Sequence, residues 1–76
     1  MPLHFVGQDP LGGPAMVWLD TRTGDIVIKG LISTEDELRG RPVLPGMTAV
    51  TLPDRMKPII LEAIDLARIL GFDPEG

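Results

Sequence analysis

The residues able to do chemistry in this chain are few and scattered. His4 is the only histidine, Ser33 the only serine, and cysteine is absent. Nucleophilic catalysis needs a base within reach of the hydroxyl. Ser33 instead precedes the acidic run Glu35-Asp36-Glu37, and His4 stands in a stretch rich in glycine and proline. No catalytic residue is expected, so the chain reads as a non-enzyme. The same inventory leaves no disulfide framework and no Cys- or multi-His metal centre. Asp20, Asp25 and the Glu35-Asp36-Glu37 cluster could offer hard oxygen ligands. Their spacing is not that of a calcium loop, and each has a structural use: aspartate in a turn, acidic residues at a helix start. Gly12-Gly13-Pro14 is too short to cradle a phosphate and reads as a turn. Neither metal nor cofactor is expected.

What the chain offers instead is apolar surface. It has 76 residues, 43% of them hydrophobic and 24% charged. That suits one small folded domain and is too apolar for a disordered chain. A chain this short buries only about 60% of the surface its unfolded form exposes. Without a disulfide or metal to reinforce it, self-association or a partner becomes the expected remedy.

The net charge is −4. Residues 1–38 hold six acidic side chains against two basic ones, and the remainder is balanced. An acidic chain without a basic stripe is not expected to bind nucleic acid through its phosphates. No apolar run approaches the ~20 residues of a membrane span. Met1-Pro2-Leu3-His4-Phe5 lacks the charged and apolar regions of a signal peptide, so the cytoplasm is the expected compartment.

Along the chain, residues 1–14 contain Pro2, Gly7, Pro10, Gly12, Gly13 and Pro14. This density predicts an irregular arm. Residues 15–76 are read as one small α+β domain. Met16–Leu19 and Ile26–Ile28 have strand composition, and Asp20–Asp25 between them ends in a turn-forming Gly-Asp. A three-residue loop with a bulge would pair Thr21 with Asp25, Trp18 with Ile28 and Leu19 with Val27. Met16, Trp18, Ile26 and Ile28 would then share one face, and Val17, Leu19, Val27 and Leu31 the other. Both faces are apolar, which predicts a hairpin covered on both sides.

Ser33 or Thr34 can cap a helix of one to two turns, which Gly40 and Pro42 stop. Met47–Leu52 alternates and predicts a third strand, with Val50 and Leu52 inward. Asp54 is read as the cap of a helix reaching Leu70, closed by Gly71, with Pro58 in its first turn. Met56, Ile59, Ile60, Ala63, Ile64, Ala67 and Leu70 follow the spacing of a buried face. Leu61, Leu66 and Ile69 extend the apolar surface beyond that stripe. The fold class is therefore α+β: a small antiparallel sheet, made of a hairpin plus a third strand, against one long C-terminal helix. Val17, Trp18, Leu61, Leu66 and Ile69 are the interface candidates, with core as the other role open to each.

Two resemblances bear on function. Thr48-Ala49-Val50-Thr51-Leu52-Pro53-Asp54-Arg55-Met56 resembles the strand and first helix of ribbon-helix-helix DNA-binding dimers, whose paired strands enter the major groove. Met47, Ala49 and Thr51 depart from that pattern, because outward positions there should carry base-reading side chains. A second helix after Gly71, which that pattern requires, is not expected here. The segment from Pro14 to Gly30, with its Trp-containing strand and Asp20-Thr21-Arg22-Thr23-Gly24-Asp25 turn, followed by Val50-Thr51-Leu52-Pro53-Asp54-Arg55-Met56, resembles a family of small actinobacterial proteins over residues 12–64. These accompany helix-turn-helix regulators. The resemblance implies a role as a regulator's accessory. Together with the surplus apolar surface, it makes the expected function a non-enzymatic interaction module, modulating such a transcription regulator or acting in a toxin–antitoxin-like pair. The expected partner is a protein or a second copy in a homodimer, with no membrane. The alternative is a ribbon-helix-helix-like DNA-binding dimer.

Overall fold

The computed structural model describes residues 2–72. The last four residues of the expected domain, 73–76, lie outside the described residues. The fold is α+β. Strands β1 (Leu3–Gln8), β2 (Met16–Asp20) and β3 (Ile26–Lys29) form an antiparallel sheet in the order β1-β2-β3. A 3-10 turn (Asp54–Met56) leads into the long helix α2 (Lys57–Ile69), which packs on β1 and β2. Between β3 and that turn lie β4 (Leu31–Ile32), the one-turn helix α1 (Glu35–Leu38) and β5 (Val50–Thr51).

The first correction concerns residues 1–14. Their described part is not an irregular arm, because Leu3–Gln8 is the edge strand beside β2. Its glycines and prolines are tolerated for positional reasons. Pro2 and Pro10 flank the strand, and edge strands accept such residues. Gly7 lies directly beneath α2, where an added Cβ would sit 3.0 Å from Ile59 Cγ2. The register shifts between Phe5 and Gly7, which absorbs Val6 as a bulge. The Asp9 N–H donates to the Ala15 carbonyl (2.9 Å), closing a hairpin loop over residues 10–14.

The second correction is the β2–β3 register. Trp18 pairs with Val27, Leu19 with Ile26 and Val17 with Ile28, one residue away from the expected pairing. The cause is the loop. Asp20 Oδ1 accepts from the N–H of Arg22 (2.9 Å) and of Thr23 (3.3 Å). Its own N–H donates to the Asp25 carbonyl (2.8 Å), leaving four residues in the loop, with Gly24 at φ +82°. A one-residue slip moves every side chain of a strand to the other face. Ile26 and Ile28 therefore join Val17 and Leu19 on the helix side, while Val27 joins Trp18 on the outer side.

The core lies between β2 and α2. Ala15, Val17, Leu19, Met56, Ala63 and Ala67 are buried, with Val6, Leu52, Ile59 and Ile60 packed around the cluster. The helix face follows the expected spacing except at Leu70, which is exposed. Small alanines at 63 and 67 let the helix approach the sheet closely. The helix ends as Gly71 suggests. Gly71 takes φ +90°, its N–H donates to the Arg68 carbonyl (3.0 Å), and the Phe72 N–H donates to the Ala67 carbonyl (2.8 Å). This is a Schellman closure. Asp54, however, is not the cap. Pro53 precedes the 3-10 turn, so Asp54 is already inside it, makes no capping bond, and pairs with exposed Lys57 instead.

The third expected strand is also corrected. Met47–Leu52 contributes only Val50 and Thr51 to a ladder, and their partners are Ile32 and Leu31 rather than the hairpin. Val50 is exposed and Leu52 alone reaches the core. No residue between 31 and 50 is buried. The chain is accordingly extended: its radius of gyration is 13.8 Å, against about 11 Å for a compact chain of this length.

Candidate interaction surface

Alternation along β2 divides the sheet into two unlike faces. Val17 and Leu19 point to the helix and are fully buried. Val17 is therefore core, the second of the two roles the sequence left open to it, and not interface. Trp18 points the other way, where no helix covers the sheet. Its ring stands edge-on to Phe5, with centroids 6.2 Å apart and planes at 65°. Register places Leu3, Met16 and Val27 on the same outer face. Phe5 is 47% exposed, Leu3 38% and Val27 37%. The expectation of a hairpin covered on both sides thus fails for this face, because one helix can cover only one side.

A second apolar surface adjoins it. Phe5 and Val6 of β1 face Leu66 and Ile69 of α2 across a groove of about 350 Å³, with His4, Glu62 and Asp65 also lining it. Leu66 is half-buried there. Ile69 at its lip is 79% exposed, and Leu61, on the side of α2 remote from the sheet, is 61% exposed. Phe5 belongs to both surfaces, so the groove runs over the β1 edge onto the Trp18 face. Four of the five expected interface residues are thus brought to the surface, though not to one patch: Trp18, Leu66 and Ile69 lie around Phe5, and Leu61 stands apart. Sequence reasoning did not place Phe5 or Val27 here. The alternation of Leu3 and Phe5 was the available signal for β1, hidden by the surrounding Gly and Pro.

The polar residues have structural partners. Ser33 Oγ lies 2.6 Å from Thr51 Oγ1 and joins β4 to β5, while His4 lines the groove beside α2. These two residues do not share a site. Thr34 and Glu37 form a reciprocal capping box at α1. The Thr34 N–H bond pulls the Glu37 carboxyl below its usual pKa. The Arg22 N–H bond does the same at Asp20. Among the described residues, no three acidic, His or Cys side chains gather where they could hold a metal.

The one strong electrostatic feature joins distant parts of the chain. Arg55, from the 3-10 turn, donates Nε to Asp9 Oδ1 (2.6 Å) and Nη2 to Asp9 Oδ2 (2.5 Å). The Leu11 N–H also donates to Oδ1 (2.9 Å). The Arg55 guanidinium holds the Asp9 carboxyl below its usual range, and Asp9 in turn raises the Arg55 pKa. The pair borders a cleft of about 310 Å³ lined by Pro14, Ala15, Leu31, Ile32 and Pro53. Nothing in the residue types of Asp9 or Arg55 marked them as partners.

Compared with models of known protein families, with curated proteins and with solved structures, the chain matches none. No helix among the described residues is long and apolar enough to cross a membrane.

Proposed function

We propose that this chain is a non-enzymatic protein–protein interaction module that acts as a homodimer. The observation that carries the reading is the exposure of large apolar side chains on the ordered elements themselves. Ile69 and Leu61 stand out from a helix whose inner face is already satisfied, and the Phe5–Trp18–Val27 face has no helix over it. Contiguous apolar surface of this kind in a small domain marks an interaction site. The acidic N-terminal half favours approach to a basic partner surface. A helix-turn-helix regulator is the heterologous partner that the family resemblance suggests, and the other half of a toxin–antitoxin-like pair is the alternative.

The test is the mass of the purified chain in solution by light scattering across a concentration series. A dimer is expected, and a monomer at every soluble concentration overturns the homodimer. The DNA-binding alternative gains no support from the ribbon region. β5 is two residues long and already pairs with β4, and Arg55 is engaged by Asp9. No salt-sensitive mobility shift with duplex DNA is expected.

A further inference from the structure

We propose that a second copy of this chain docks on the open edge of β3, joining two sheets into one six-stranded antiparallel sheet about a two-fold axis through Val27. The inference rests on the homodimer reading above and places the self-contact at the β3 edge beside the Trp18 face, leaving the α2 and Trp18 surfaces for a heterologous partner.

The two edges of the sheet are not alike. The β1 edge is bulged at Val6 and flanked by Pro2 and Pro10. Such features obstruct pairing with another strand. Strand β3 has none of them. Ile26, Val27, Ile28 and Lys29 run without a bulge or proline, and all four are exposed. The bond from the Asp20 N–H to the Asp25 carbonyl fixes the alternation along this ladder. The Asp25 carbonyl faces β2 while its N–H donates to Thr23 Oγ1 in the turn; Val27 and Lys29 then direct their main-chain groups to β2, so those of Ile26 and Ile28 point to the open edge. Among the described residues, no other main-chain group bonds them. Helix α2 packs chiefly on β1 and β2, and meets β3 at Ile26, which shares a pocket with Ile64, Ala67 and Arg68 on the helix side of the sheet.

This edge is complementary to itself in one register. Antiparallel pairing that uses the free groups of Ile26 and Ile28 sets Ile26 opposite the second copy's Ile28, and Val27 opposite its own counterpart. The same register sets Asp25 opposite Lys29 of the second copy, twice, by symmetry. Neither Asp25 nor Lys29 forms an ion pair within the described chain. Opposite charges facing each other across strands stabilise a pairing, and like charges oppose it. A two-fold contact of this kind closes as a dimer and does not propagate. It also brings the two Trp18 faces side by side, doubling the apolar surface available to a further partner.

The test uses the full chain and three variants. Ile28→Pro removes an N–H that β2 does not use, so the monomer should fold while the dimer weakens by at least about tenfold. Asp25→Lys sets like charges opposite each other and should weaken the dimer similarly. Asp25→Lys with Lys29→Asp should restore it. In the unmodified chain, amide exchange at Ile26 and Ile28 should slow as concentration rises. If Ile28→Pro fails to fold, the charge pair and the exchange measurement still decide. A dimer whose mass resists Asp25→Lys, with no concentration-dependent protection at Ile26 and Ile28, overturns this edge while leaving the homodimer standing. A monomeric unmodified chain overturns both.

Discussion

Asp9 and Arg55, 46 positions apart, meet in a two-pronged ion pair of 2.6 and 2.5 Å, with the Asp9 side chain almost wholly buried. Asp9 also closes the β1–β2 hairpin loop through its main chain. The pair therefore ties the N-terminal hairpin to the start of the helix that covers it. Gly13 makes room for it: an added Cβ there would collide with the Asp9 carboxylate.

The pair predicts an acid-sensitive fold. The folded pKa of Asp9 is lowered, chiefly by the Arg55 bond. Below the ordinary carboxylate range, near 4, the unfolded chain binds the proton more readily than the folded chain. Stability is thus fully present above that value and falls as pH drops through the folded pKa. Asp20 and Glu37 are lowered too and contribute in the same direction. Asp9→Asn should lower Tm at neutral pH and flatten part of the loss between pH 5 and pH 2. Parallel melting curves for the two proteins across that window would remove the assignment.

Burial predicts a sharp contrast between two apolar residues. Leu19 is fully buried between sheet and helix, and Ile69 is 79% exposed. Leu19→Ala should cost about 2–5 kcal/mol in urea denaturation, the range for buried leucine truncations. Ile69→Ala should stay within about 0.5 kcal/mol. Comparable losses at the two sites would mean that Ile69 is covered.

Gly24 is predicted to be irreplaceable for two separable reasons. It takes φ +82°, and a Cβ there would lie 2.5 Å from the Phe72 ring. Gly24→Ala should cost about 1–2 kcal/mol for the left-handed backbone alone, plus the displacement of Phe72. In a Phe72→Ala background the second contribution should vanish. Equal costs in both backgrounds, measured by chemical denaturation, would disconnect the ring from the turn.

Trp18 reports on the outer face directly. Half-buried beside Phe5, it should be accessible to a neutral quencher, and Phe5→Ala should shift its emission to the red. Both effects should be present in dilute protein. Emission that ignores the loss of Phe5 would place the indole elsewhere.

Elements that depend on neighbours in the chain could be read from the residues alone. The helix was legible because Met56, Ile59, Ile60, Ala63, Ile64 and Ala67 recur at its period, and Gly71 supplies the left-handed residue that ends it. The one-turn α1 was legible from Thr34 and Glu37, three apart. The strand composition of β2 and β3 was equally local. The remaining features emerge from competition between groups far apart in the chain. Leu3–Gln8 becomes a strand because β2 supplies its hydrogen bonds, overriding the weak propensity of its glycines and prolines. The Asp20 side chain organises a four-residue loop, and that one added residue reassigns Ile26, Val27 and Ile28 between the two faces. Val50 and Thr51 pair with β4 because the sheet edge they were expected to extend lies elsewhere. Asp9 finds Arg55 only once the hairpin is seated against the helix. Periodicity records which residues want to be buried, while register and pairing depend on partners that local sequence does not specify.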